Sequence, residues 1–130
     1  MTKQSEGFTV IEIIFIATLI AFASVFFFIQ KNNLEITAND NTRKSAINAM
    51  YYSLEEVFYP ANKFYPSTIS SDNLKSMDPE LFSDTDGKMI NTAGSAYTYK
   101  PTDCVNDKCK GYTLKTTLVN EADFEKTNRN

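Results

Sequence analysis

The sequence contains no histidine and no tryptophan, and only two cysteines, four glycines and four prolines among its 130 residues. Histidine is the commonest general base and metal ligand at neutral pH, so its absence argues against an enzyme or a metalloprotein. The two cysteines supply at most half of a four-ligand zinc site. Glu55 and Glu56 are helix neighbours that point apart, which argues against a catalytic carboxylate pair. We therefore expect neither catalysis nor a bound cofactor or metal.

Excess positive charge is also missing. The chain has 13 Lys and Arg against 16 Asp and Glu, a net charge of −3. A protein that binds nucleic acid usually carries a basic patch, and nothing here supports such a partner. The length allows one domain beyond the apolar N-terminal segment.

The N-terminal half lacks helix breakers, because no glycine or proline lies between Gly7 and Pro60. Residues 8–29 are apolar with four exceptions: Thr9, Glu12, Thr18 and Ser24. About 20 apolar residues match the ~30 Å thickness of the hydrocarbon layer of a membrane. A carboxylate inside it costs roughly 2.5–3.5 kcal/mol, which makes Glu12 a candidate functional residue.

A helix is predicted over residues 8–58, ending at Tyr59 and Pro60. Its second half carries apolar residues on one face, expected to pack on a sheet. Those residues are Leu34, Ala38, Ile47, Met50, Leu54, Val57 and Phe58. Residues 39–42 are poor helix formers, so we expect a bend or loosening there.

The remainder reads as a loop with a few strands. A short helix is expected near residues 72–77, and a turn at Asp78. Alternation predicts a strand at residues 97–99, stopping at Pro101, and another at residues 112–118. The tail after Glu121 is expected to fray.

Two loop motifs have alternative interpretations. Cys104 and Cys109 lie between the two predicted strands, and an even pair in an exported chain favours a disulfide over two free thiols. Residues 84–87 resemble part of a calcium loop. Phe82 stands where such a loop needs an acidic ligand, so a plain turn is favoured over a calcium site near Asp84 and Asp86.

Two ordinary interpretations of the apolar segment are incomplete. A cleavable secretory signal fits the small residues Ala21 and Ala23, but the segment is longer than such signals. A plain signal anchor explains the length and leaves Glu12 as an uncompensated cost.

A third interpretation rests on Gly7-Phe8-Thr9-Val10-Ile11-Glu12 followed by the apolar segment. This N-terminus resembles that of type IV prepilins and of the pseudopilins of type II secretion systems. Their pattern is a short basic leader, glycine, phenylalanine, Thr-Leu-Ile-Glu and about 20 apolar residues. The single difference within the six positions is Val10, where leucine is usual.

The resemblance implies an α+β fold, in which a long N-terminal hydrophobic helix packs through its C-terminal half on a small antiparallel sheet. It implies a leader, residues 1–7, cut by a prepilin peptidase between Gly7 and Phe8, with N-methylation of Phe8. Residues 8–29 would span the membrane and later form the core of a surface filament. Residues 30–130 would form the head.

For assembly, the resemblance implies that Glu12 pairs with the new Phe8 amine of a neighbouring copy. Partners would be further pilin subunits, the peptidase and an inner-membrane assembly platform. Two features depart from the family pattern: Glu6 lies beside the cut with Lys3 as the leader's single side-chain cation, and the apolar half lacks proline. The alternatives are a pseudopilin or minor pilin of a secretion or DNA-uptake machine, and a single-pass anchored domain that does not polymerise.

Overall fold

The computed structural model describes residues 7–130 and has an α+β fold. A long N-terminal helix packs through its later turns on a small antiparallel sheet, which confirms the predicted fold class. The helical elements are α1 (Val10–Tyr52), a π-helical segment (Ser53–Phe58), α2 (Tyr59–Asn62) and a 3-10 helix (Pro79–Phe82). The strands are β1 (Tyr65–Pro66), β2 (Tyr97–Val105), β3 (Lys108–Thr116) and β4 (Phe124–Thr127). Of the predicted leader, residues 1–6 lie outside the described residues.

The chain divides into two compact units, residues 1–35 and 36–130. In the first unit, every residue from Gly7 to Glu35 is exposed. By length and composition its helix is able to cross a membrane, with a mean hydropathy of 2.6 over its most apolar stretch. The hydroxyls of Thr18 and Ser24 each donate to the carbonyl four residues earlier, at 2.8 Å, so they need no outside partner.

In the second unit, β3 is the centre of the sheet. It pairs antiparallel with β2 along most of its length, with β1 near its start and with β4 near its end. The β2–β3 hairpin turns at Asn106 and Asp107, whose φ angles are 50° and 63°. Asn and Asp tolerate this left-handed conformation, which tight two-residue hairpin turns require.

The core forms between the helix and the sheet. Ile47, Met50 and Leu54 are fully buried, as the apolar pattern predicted. Leu34 and Val57 are 70% and 52% exposed and Ala38 is exposed as well, so the predicted burial of these three residues is wrong. Leu34 belongs to the first unit, and Val57 lies in the π-helical segment, whose wider turns shift side chains off the α-helical face. The sheet and loop supply mainly Tyr65, Leu74, Phe82, Tyr97, Tyr99, Tyr112 and Leu114.

The helix differs from its prediction at two places. It does not end at Tyr59, because Pro60 lies in the first turn of α2, where its missing N–H is tolerated. The loosening expected at residues 39–42 is also wrong, since α1 continues through them. Asp40 there is buried, and its carboxylate accepts the backbone N–H groups of Val119 and Asn120. This tertiary contact outweighs weak helix propensity.

The strands and the long loop also differ from their predictions. β2 continues through Pro101 to Val105, because an edge strand tolerates proline. The tail does not fray, since β4 pairs with β3. The short helix expected near residues 72–77 is absent, and this part of the chain forms turns. The turn predicted at Asp78 is confirmed, and its carboxylate caps the 3-10 helix by accepting the N–H of Glu80 at 3.0 Å.

Candidate functional site

The candidate site at the start of α1 is built from Thr9 and Glu12. Glu12 Oε2 accepts the Thr9 backbone N–H at 2.9 Å and the Thr9 hydroxyl at 3.1 Å. The Glu12 backbone N–H donates back to Thr9 Oγ1 at 3.4 Å. This reciprocal arrangement is a capping box, which satisfies N–H groups that the first helical turn leaves without partners. The carboxylate is therefore held by its own chain.

The second carboxylate oxygen of Glu12 remains accessible. Oε1 accepts no hydrogen bond from residues 7–130, and no lysine or arginine in this part of the chain forms an ion pair with Glu12. Glu12 is also the single ionisable side chain in residues 8–30. The site thus combines one satisfied oxygen with one free oxygen on an exposed apolar helix.

Gly7 and Phe8 directly precede the capping box, and both are exposed. A Cβ added at Gly7 would meet nothing within 4 Å. Nothing in residues 7–130 therefore requires glycine at this position, and any such requirement must come from a partner. The Phe8 side chain is 72% exposed.

The two cysteines form the predicted disulfide, Cys104 to Cys109. The two residues face each other across β2 and β3, so the bond closes the hairpin next to its turn. This arrangement is structural, and it lies in the second unit.

The loop that resembles a calcium site is occupied by its own backbone. The Asp84 carboxylate accepts the N–H groups of Asp86 and Lys88, both at 2.9 Å, and of Ala96 at 2.7 Å. Burial favours a higher pKa, but these donors outweigh it, so the pKa of Asp84 is lowered. Asp86 points to Arg43 at 3.5 Å. Among the described residues, no group of three or more His, Cys, Asp or Glu side chains is placed to hold a metal ion.

A buried carboxylate that the sequence did not indicate lies in the π-helical segment. Glu55 Oε1 accepts the hydroxyls of Tyr112 at 2.8 Å and Tyr65 at 3.1 Å. It also accepts the backbone N–H of Arg129 at 3.2 Å, and Oε2 accepts the side-chain amide of Asn130 at 3.3 Å. Burial, with Glu55 nearby, raises the pKa of Tyr65 to about 12. These hydrogen bonds connect the π-helical segment with the sheet and with the last two residues of the sequence.

Glu55 and Glu56 have different surroundings. Glu56 is exposed and forms an ion pair with Arg129 at 2.8 Å, whereas Glu55 is buried among hydroxyl and amide donors. The two carboxylates thus do not share a site, in line with the prediction that they point apart.

Comparison of the chain with protein-family models, with curated proteins and with solved structures finds no match. The candidate site therefore rests on the chain's own residues. Thr9 was not predicted as a site residue, although the Thr-x-x-Glu spacing before an apolar segment is the signature of a capping box. No comparable local signal marks Glu55.

Proposed function

We propose that this chain is a type IV pilin-like structural subunit. It is cut between Gly7 and Phe8, methylated on the Phe8 amine and polymerised through its N-terminal helix into a surface filament. In the cut, water adds across the Gly7–Phe8 amide, which yields a Gly7 carboxylate and a Phe8 amine. A methyl donor then supplies the methyl group that replaces one proton of that amine.

The observation that carries the proposal is the position of Glu12. It is a lone carboxylate in the first turn of an exposed apolar helix, with one oxygen capped by Thr9 and the other free. The cut creates an ammonium group on Phe8, at the same end of the helix. When helices stack with an axial offset, the ammonium of one copy is able to reach the free oxygen of the next.

The low dielectric constant between the apolar helices makes this charge pairing specific. A charge buried without its partner is strongly penalised, and removal of one member of a buried pair typically costs about 3–5 kcal/mol. That penalty corresponds to an equilibrium constant for adding each subunit that is weaker by roughly 10²- to 10⁴-fold. Hydrophobicity alone cannot supply the register, because lipid tails are as apolar as the helices.

The test compares three variants of the full chain. Glu12→Ala removes the carboxylate half of the cap together with the charge, and Glu12→Gln keeps a hydrogen-bond acceptor for Thr9 and loses the charge. Thr9→Val removes the hydroxyl half of the cap, keeps the bond from the Thr9 backbone N–H and keeps the charge. We expect normal cutting in all three, measured by mass spectrometry of the mature N-terminus. Sheared filaments, viewed by electron microscopy, should be lost in both Glu12 variants and kept in Thr9→Val.

Normal filaments from Glu12→Gln would show that charge pairing is not required. Gly7→Ser should leave uncut precursor in the membrane with an unchanged fold, since a side chain at Gly7 meets only open space. A mature protein that still begins at Met1 would refute the proposal and favour a non-polymerising anchored domain. A subunit found only as a trace component of filaments would instead be a pseudopilin or minor pilin.

A further inference from the structure

In the second unit, the charged side chains that form no internal ion pair are unevenly distributed by sign. Arg43, Lys44, Lys115 and Arg129 each have an acidic partner within 4 Å, at Asp86, Glu121, Asp123 and Glu56 respectively. Outside the β2–β3 hairpin, four exposed carboxylates of residues 36–130 form no ion pair. They are Asp72, Asp78, Glu80 and Glu125. Three of these four lie in one short stretch, residues 72–80, which we call the acidic segment.

A groove beyond the end of α2 collects the opposite charge. It has a volume of about 650 Å³ and is lined by Lys63, Lys108 and Lys110, with Tyr59, Phe64 and Asp103 among its other residues. We call it the lysine groove. None of the three lysines forms an ion pair within the described residues, and Lys108 lies 5.2 Å from the centre of the Phe64 ring. The side chains of the lining thus carry three positive charges against one negative charge, that of Asp103.

Lys63 occupies a backbone position that disfavours it. It ends α2 with φ of 62°, the left-handed conformation for which glycine is the usual residue. An L-amino acid with a Cβ is penalised there. The chain therefore places a lysine in the lining of the groove at a position where glycine would favour folding. Such a conflict is typical of positions that serve binding rather than stability.

The acidic segment lies elsewhere on the same unit. Within this segment, the Ser76 hydroxyl forms a hydrogen bond of 2.8 Å with the hydroxyl of Ser53 in the π-helical segment. The segment carries one lysine, Lys75, against its three carboxylates. Because the groove and the segment are different surfaces of one chain, contact between them in two copies is heterologous. Contacts of this kind propagate into an open helical polymer when the rotation does not close a ring.

We propose that the lysine groove of one copy binds the acidic segment of a second copy. The proposal rests on the proposed function, since polymerisation through the N-terminal helix brings the heads of different copies together at high effective concentration. The complementary charges then select one arrangement of neighbouring heads.

The first experiment cross-links the native full chain. Sheared filaments are treated with a carbodiimide, which joins a lysine amine to a carboxylate with loss of water when the two are in contact. Mass spectrometry of the covalent dimer should find isopeptide bonds from Lys63, Lys108 or Lys110 to Asp72, Asp78 or Glu80. Filaments without such bonds would overturn this inference and leave the proposed function intact. A wild-type chain that forms no filaments would refute the proposed function itself.

The second experiment exchanges the charges. Lys108→Glu with Lys110→Glu, and separately Asp78→Lys with Glu80→Lys, should each weaken the head contact about 5- to 30-fold. The readout is the salt concentration at which sheared filaments dissociate. All four changes together should restore the wild-type value. Lys100→Glu, an exposed unpaired lysine outside the groove, is the matched control and should have no effect. Failure of the combined variant to recover would mean that the groove binds something else.

Lys63→Gly separates binding from folding. Relief of the left-handed lysine should raise the thermal midpoint of the head by about 4–8 °C, while filaments dissociate at lower salt. A variant that is more stable and assembles as well as the wild type would remove Lys63 from the contact.

Discussion

The buried Glu55 gives the sharpest test of how the head is held together. In Glu55→Leu the hydroxyls of Tyr65 and Tyr112 lose their acceptor while they remain buried. The backbone N–H of Arg129 also loses its acceptor, but Arg129 is exposed and water can replace it. The two hydroxyls therefore dominate the cost.

The size of the effect follows from those two groups. A buried donor left without a partner costs about 1–3 kcal/mol, so Glu55→Leu should lower the free energy of unfolding by roughly 2–6 kcal/mol. Glu55→Gln keeps one acceptor and loses the charge. A hydrogen bond to a charged group contributes about 1 kcal/mol more than a neutral one, so this variant should lose about 2 kcal/mol. Both losses are large against a typical total of about 5–15 kcal/mol.

The assay is urea unfolding of the full chain in detergent micelles, followed by near-ultraviolet circular dichroism. All 7 tyrosines lie in residues 36–130, and there is no tryptophan. The tyrosine signal therefore reports unfolding of the second unit without interference from the apolar helix.

Removal of both tyrosine hydroxyls provides the control. In Glu55→Leu combined with Tyr65→Phe and Tyr112→Phe, no buried hydroxyl is left unpaired, and most of the lost stability should return. If the triple variant is as unstable as Glu55→Leu alone, the cost does not come from the hydroxyls and our reasoning is wrong.

Three further predictions concern the same unit. Because the pKa of Asp84 in the fold lies below its usual value of 3.8, its stabilisation is complete above that pH and is lost as the pH falls through the folded pKa. The thermal midpoint should therefore drop in acid, less steeply in Asp84→Asn, and equal slopes would refute this. The pKa of Tyr65 is raised from 10.0 to about 12. Its contribution to stability is therefore complete below pH 10 and is lost as the pH rises from 10 to about 12. Alkaline unfolding should flatten in Tyr65→Phe, and an unchanged curve would exclude Tyr65 as its source. Reduction of the Cys104–Cys109 bond should lower the free energy of unfolding by about 2–3 kcal/mol. The same loss should appear in Cys104→Ser with Cys109→Ser, whereas no loss would show that the hairpin holds without the bond.

Local chemistry explains why the N-terminal part was predictable. A segment without glycine or proline, rich in apolar residues, has few alternatives to a helix, and α1 indeed begins at Val10. The start of that helix is also encoded locally, because Thr9 and Glu12 have the spacing of a capping box. The disulfide was predictable because its cysteines are only five positions apart, although they lie within the paired ends of β2 and β3 and not between the two strands as predicted.

The head was less predictable because its determinants are distant in sequence. By local propensity Asp40 is a weak helix former. In the fold, its carboxylate accepts hydrogen bonds from the backbone N–H groups of Val119 and Asn120. β4 is a polar stretch with little strand pattern, and pairing with β3 orders it. The Asp40 contacts join residues 79 and 80 positions apart, and β4 pairs with residues 8 to 14 positions earlier in β3, so no pattern within one segment records them.

The capping box also bears on how Glu12 can serve two states. In a membrane, a carboxylate on this helix costs roughly 2.5–3.5 kcal/mol. The cap and the positive end of the helix dipole together offset about 1–2 kcal/mol of that cost. A cost of roughly 0.5–2.5 kcal/mol remains, which a single copy can tolerate and an ammonium from a neighbour can remove. The proposed pairing needs no release of Thr9, since it uses the oxygen that the cap leaves free. Thr9→Val should therefore destabilise the monomer helix in the membrane more than it destabilises the filament.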